Sequence, residues 1–176
     1  MAIVGGNGAG KSTLLWCVVG SDSLDEGVIQ LGGVELDESR AATRAAMASL
    51  LDDVDFFPDL SVAEHLQLLA WLHGTERAES VVESVVDDLG LRRIRDQLPP
   101  TLSSGQRHRL GLASCFVRPF DLLVLDELEQ RLDAVGRDWL RGRLLAETSR
   151  GRGIVFASHD EALVAAVADR VVEVGM

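Results

Sequence analysis

The segment GGNGAGKST, residues 5–13, constrains this chain more than any other, because it sits between an apolar triplet, Ala2-Ile3-Val4, and a run from Lys11 to Val19 that reads as a helix. Glycines at this density let the backbone curl until successive N–H groups point inward, and the following helix N-terminus adds partial positive charge, so the turn suits a polyphosphate. Gly5, Gly10, Lys11 and Ser12 fit the pattern G-x-x-x-x-G-K-[S/T], with Gly6, Asn7, Gly8, Ala9 and Thr13 completing the loop. Lys11 is the only lysine among 17 basic side chains. A compact ammonium fits between two phosphates, whereas a planar guanidinium is broader and presents its donors in a rigid fork. The pattern places Lys11 at the β- and γ-phosphates of ATP and Ser12 on the accompanying Mg²⁺.

With 176 residues the chain has the length of one domain and enough material for a sizeable core. A net charge of −11 argues against a nucleic-acid partner, since phosphate backbones need a basic face. Cys17 and Cys115 lie in apolar helical surroundings and form neither a disulfide framework nor a metal-ligand spacing, which favours a reducing compartment. The first residues do not lead to the expectation of a basic leader, and no apolar run in this sequence reaches the ~18 residues of a membrane span. Any work at a membrane therefore needs another chain to supply the span.

Further along, GVIQLGGVELDE (27–38) has two β-prone runs around Gly32-Gly33, a hairpin signal. From Ser61 the period becomes helical: SVAEHLQLLAWLHG puts Val62, Leu66, Leu69 and Leu72 near one face, with a Ser61/Glu64 capping box and a stop at Gly74. A second helix follows over 75–90. DLLVLDE (121–127), GIVFASHD (153–160) and RVVEV (170–174) read as strands of a parallel sheet. The expectation is an α/β fold of the P-loop NTPase kind: a mostly parallel central sheet, a small antiparallel hairpin and a helical subdomain inserted at about 60–118.

Asp126-Glu127 closes an apolar strand, and in open α/β sheets ligands bind off the carboxyl ends of strands, so both side chains are expected to face the phosphate loop. Asp126 is placed in the Mg²⁺ shell and Glu127 against the attacking water. Gly105 of LSSGQRHRL (102–110) precedes Asp126 by 21 positions, room for one helix and a turn. With this segment, and with FASHD carrying His159, the chain from Met1 to Val174 resembles the nucleotide-binding domain of ABC transporters. The four motifs occur in that family's order.

The resemblance implies an ATPase whose signature residues, here Leu102, Ser103, Ser104, Gly105 and Gln106, face nucleotide held by a second ATPase subunit. It implies a head-to-tail dimer, identical or mixed, that closes on ATP and separates after hydrolysis. His159 matches the switch histidine and Asp133 the D-loop aspartate. A separate transmembrane permease is implied, with this chain peripheral at the inner face of the cell membrane, and FFPDLSVAEHL resembles the surface that receives the permease; an exporter-like system is the leading expectation. The chain departs from the family in three ways. DDVD stands where a glutamine is usual, Asp52 most nearly filling that slot as a third candidate for the metal; LEQR (128–131) and Ser104 replace the usual residues; and the sequence opens at the strand preceding the phosphate loop, without the two or more earlier strands usual in the family. These departures keep a catalytically weak or regulatory ATP-binding subunit as the alternative. A kinase would lack LSSGQ, and a DNA-repair ATPase of this type would need long coiled coils.

Overall fold

The computed structural model describes every residue except 38, 52–53, 128–130 and 176. The readings placed on Asp52 and on residues 128–130 therefore lie outside the described residues. The chain divides into two compact units.

The first unit comprises Met1–Leu51, Phe120–Gln130 and Leu140–Met176. Among the described residues, five strands form one parallel sheet: β1 (Ala2–Val4), β4 (Met47–Leu50), β5 (Leu122–Asp126), β6 (Gly153–Ala157) and β7 (Val171–Glu173), in the order β4-β5-β6-β1-β7. Near-continuous apolar strands such as LLVLD suit a sheet covered on both faces. Ile3, Val124 and Ala157 pack with Leu15 of helix α1 (Lys11–Val19) as a fully buried cluster. Burying a side chain of that size contributes roughly 1.5–3 kcal/mol.

The registers Ile3↔Ala157 and Asp126↔Ala157 bring β1 and β5 level on either side of β6. The loops that leave β1, β5 and β6 therefore emerge at one edge of the sheet. The hairpin pairs Gln30–Leu31 (β2) with Val34–Glu35 (β3) around Gly32 and Gly33, both left-handed, as a tight two-residue turn requires. A cavity of about 400 Å³ lies between this hairpin and the end of α1, lined in part by Cys17 and Leu36. Helix α2 (Ala41–Ala46) runs directly into β4; neither element is anticipated from the sequence.

The second unit comprises Asp52–Pro119 and Arg131–Trp139. Helix α3 (Val62–Leu72) opens with the anticipated box: Glu64 N–H donates to Ser61 Oγ at 3.3 Å, and Ser61 N–H donates to Glu64 Oε2 at 2.8 Å. Its buried stripe is Val62, His65, Leu66 and Ala70, whereas Leu72 is 68% exposed at the last turn. The apolar face expected to include Leu72 drifts off the core there, and a histidine takes a core position.

Helix α4 (Ala78–Asp88) buries Ala78, Val82, Val85 and Val86, and α5 (Ser104–Phe116) buries Leu110, Leu112, Ala113 and Phe116. Single 3-10 turns over Arg92–Ile94 and Pro99–Thr101 lead into α5. Helix α6 (Ala134–Ser149) begins in this unit and continues in the first, where Leu140 and Leu144 are buried. There Glu147, fully buried, has carboxylate oxygens about 3 Å from nitrogens of Arg143 (3.0 Å), Arg150 (2.9 Å) and Arg152 (3.0 Å).

Candidate functional site

The phosphate loop owes its shape to a glycine that nothing else can replace. Gly5 has φ 153, and a Cβ there would sit 2.1 Å from the carbonyl oxygen of Val174. Ala9 N–H then donates to Gly6 O at 3.2 Å, closing the turn that delivers the chain into α1. Lys11, in the first turn of that helix, is 5% exposed although its neighbours Gly6, Asn7 and Gly8 face solvent. Its Nζ donates to the carbonyls of Gly5 (3.1 Å) and Gly6 (3.2 Å), which fix the ammonium inside the curl of the loop.

Two further groups from the same sheet edge reach this ammonium. Lys11 Nζ lies 3.4 Å from Glu127 Oε1 and 3.1 Å from His159 Nε2, and those two are 2.9 Å apart. The structure thus brings together Lys11, Glu127 and His159 from the ends of β1, β5 and β6. One Nε2 cannot accept a proton from Lys11 and donate one to Glu127 at once, so the tautomer of His159 decides which bond exists.

Each partner is held by its own backbone. Glu127 has φ 44, a left-handed conformation that costs a non-glycine residue of order 1–3 kcal/mol, and its N–H is tied to Ala157 O at 3.0 Å. His159 is framed by Ser158, buried, whose Oγ accepts from Asp160 N–H at 2.9 Å, and by Asp160, whose Oδ1 accepts from Ala162 N–H (2.9 Å) and Leu163 N–H (3.0 Å). Asp160 caps helix α7 (Glu161–Val167). Sequence reasoning passed over this support; an aspartate before an apolar run, a familiar cap signal, could have revealed it.

Ser12 and Asp126 present a hydroxyl and a carboxylate, the hard oxygen donors that suit Mg²⁺. Among the described residues no group of three or more His, Cys, Asp or Glu could hold a metal ion. Such a donor set fits an ion that arrives with phosphate and water oxygens completing its shell, as Mg²⁺ does with nucleotide. Asp52 adds nothing to this test, lying outside the described residues.

The signature residues belong to the second unit. Leu102 is buried, and Ser103 caps α5: its Oγ accepts from Gln106 N–H at 3.3 Å while Gln106 Oε1 accepts from Ser103 N–H at 2.8 Å. A Cβ at Gly105 would meet nothing within 4 Å, so the chain's own packing gives no reason for glycine there. Asp133 caps α6 through Gly136 N–H at 2.8 Å and pairs with Arg109 at 2.9 Å. The Gly136 hydrogen bond, followed by Arg109 and Arg137, holds its carboxyl below the usual aspartate range. No helix among the described residues is long and apolar enough to cross a membrane.

Comparison with known proteins agrees with this geometry. Residues 1–130 match the family model for ABC transporters. The chain is 31% identical over 179 residues to the maltose/maltodextrin import ATP-binding protein MalK of Yersinia pestis bv. Antiqua (strain Antiqua), covering 98% of this chain and 47% of MalK. It is 30% identical to the SkfA peptide export ATP-binding protein SkfE of Bacillus subtilis (strain 168), covering 98% of this chain and 72% of SkfE. A solved structure of an ATP-binding subunit of an ABC transporter superposes with a TM-score of 0.90 at 25% identity, over 99% of this chain and 73% of that one. The chain therefore belongs to the ABC transporter family, on its ATP-binding side. It spans about half the length of MalK and of a second relative, the sn-glycerol-3-phosphate import ATP-binding protein UgpC of Jannaschia sp. (strain CCS1).

Proposed function

We propose that the chain binds and hydrolyses ATP as the ATPase part of an ABC transporter, driving a separate transmembrane permease from the inner face of the membrane. The convergence of Lys11, Glu127 and His159 on one sheet edge carries the reading. Residues 5–13 hold the phosphates, with Lys11 between the outer two. Ser12 and Asp126 would hold Mg²⁺, which when bound neutralises charge developing on the transferred phosphoryl group. Glu127 orients the attacking water and takes its proton, and His159, already within reach of Glu127, holds the far side of the γ-phosphate.

Leu102–Gln106 and Asp133 act toward a second ATPase subunit. The open space over Gly105 supports this, since a backbone free of side chain lets a neighbouring phosphate approach the start of α5. The relatives include import and export proteins alike, so the family supports a transport role and not a direction.

The test is steady-state hydrolysis by Glu127→Gln. Turnover is expected to fall by ~10²–10⁴-fold, the range for losing a general base, while nucleotide binding persists. Wild-type turnover in that variant would remove Glu127 from its role.

A further inference from the structure

We propose that Arg109 is a positioning residue that fixes the carboxylate of Asp133 and so ties residues 131–133 to the helix carrying the signature. The inference rests on the reading above, in which both segments face a second subunit. Within the second unit, Arg109 Nη2 donates to Asp133 Oδ2 at 2.9 Å while Gly136 N–H donates to Asp133 Oδ1 at 2.8 Å. A cap needs only one oxygen. Engaging the second with a guanidinium stops the carboxylate from rotating about its Cβ–Cγ bond and gives it one orientation relative to α5.

The rest of the contact is built to the same end. A Cβ at Gly136 would lie 3.1 Å from Asp133 Oδ1 and 3.2 Å from Leu132 Cβ, so a larger residue would press on the capping oxygen. Helix α5 also grips the segment at its far end, where Phe116 meets Trp139 edge to face, with ring centroids 5.5 Å apart and planes at 87°. Residues 131–139 are thereby held to α5 at two points, Arg109 and Phe116. The Arg109–Asp133 pair is 30% and 63% exposed, so it adds little to folding, and its effect falls on orientation.

The test uses the whole chain, with kcat and KM for ATP measured in Arg109→Met, Arg109→Lys, Asp133→Asn and the Arg109→Met/Asp133→Asn double variant. Arg109→Met should lower kcat by about three- to fivefold, the size an exposed ion pair supports, with KM within about twofold. Arg109→Lys should recover most of the loss, and the double variant should be no slower than Asp133→Asn alone. Wild-type kcat in Arg109→Met, or losses that multiply in the double variant, overturn the proposal.

Amide exchange at Gly136 is read in the same proteins without nucleotide. It should quicken about threefold in Arg109→Met and stay near wild type in Arg109→Lys; unchanged exchange in Arg109→Met overturns the proposal whatever the hydrolysis rates. Glu127→Gln measured alongside separates the two readings. If it hydrolyses ATP like wild type, the role given to Glu127 is what has failed and both readouts still decide the role of Arg109; if wild type itself does not hydrolyse ATP, the ATPase assignment has failed and amide exchange alone decides it.

Discussion

Lys11 has anionic company from its own chain. Glu127 Oε1 stands 3.4 Å from its ammonium, and His159 contacts both groups. In the proposed function, phosphate oxygens would displace that carboxylate or crowd against it, so Glu127 would oppose nucleotide binding as well as serve the chemistry. Glu127→Gln should therefore bind ADP about fivefold more tightly than wild type, equivalent to ~1 kcal/mol. Lower negative charge alone would produce the same sign, so Glu127→Asp is the sharper probe. It keeps the charge but is too short to hold the contact, and should also bind ADP more tightly; titration of a fluorescent ADP analogue showing wild-type affinity in Glu127→Asp would refute the competition. Each of these residues stands in a motif visible in the chain. That Glu127 faces the phosphate loop was expected from its place at a strand end, but its direct contact with Lys11 and His159 was not, because that depends on β6 lying between β1 and β5, which no local pattern encodes.

At the scale of elements, α3 and α5 open with the same device, a serine cap reciprocated three residues later by Glu64 and Gln106. The Ser61/Glu64 box was legible in four consecutive residues; the Ser103/Gln106 box is written just as locally but was passed over, because LSSGQ was read only as the signature. Ser61→Ala should cost about 1 kcal/mol, read as a lower urea midpoint. Helix α3 also carries His65, 3% exposed and packed against Phe56 and Phe57 at ring-centroid distances of 5.3 and 5.7 Å. Its helical spacing was readable, but a core position for histidine contradicts its polarity, and the apolar Leu72 was read in its place.

Burial pushes the His65 imidazole below its ordinary 6.5. The unfolded chain then takes up this proton at higher pH than the folded one, so the stability from a neutral His65 is complete above about 6.5 and declines as pH falls. His73, lowered by burial and then by Arg118, acts with the same sign. Thermal melts between pH 7.5 and 5 should show a shallower acid slope in His65→Leu than in wild type. Equal slopes would place the acid sensitivity elsewhere. By contrast, α2 and β4 escaped notice because RAAMASLL has no strand alternation; β4 is a strand because Met47–Leu50 pairs with Leu122–Leu125.

Over the whole molecule, apolar strands ending in Asp126-Glu127 and Ser158-His159 were enough to foresee a parallel sheet with a phosphate loop at its edge. Ties such as Arg109 to Asp133, 24 residues apart, stayed hidden because a charge pair leaves no periodic trace. The two cysteines divide in a way that bears on how the protein can be studied. Cys115 is buried, and burial pushes its thiol up to about 12, whereas Cys17 is half-buried and lines the cavity beside the hairpin. Since thiolate and access govern alkylation, native protein should consume one equivalent of maleimide quickly and a second only after unfolding. The natural chain thus comes with a single attachment point for a fluorophore, at the far end of the helix that Lys11 begins, from which nucleotide arrival could be watched without engineering a new cysteine.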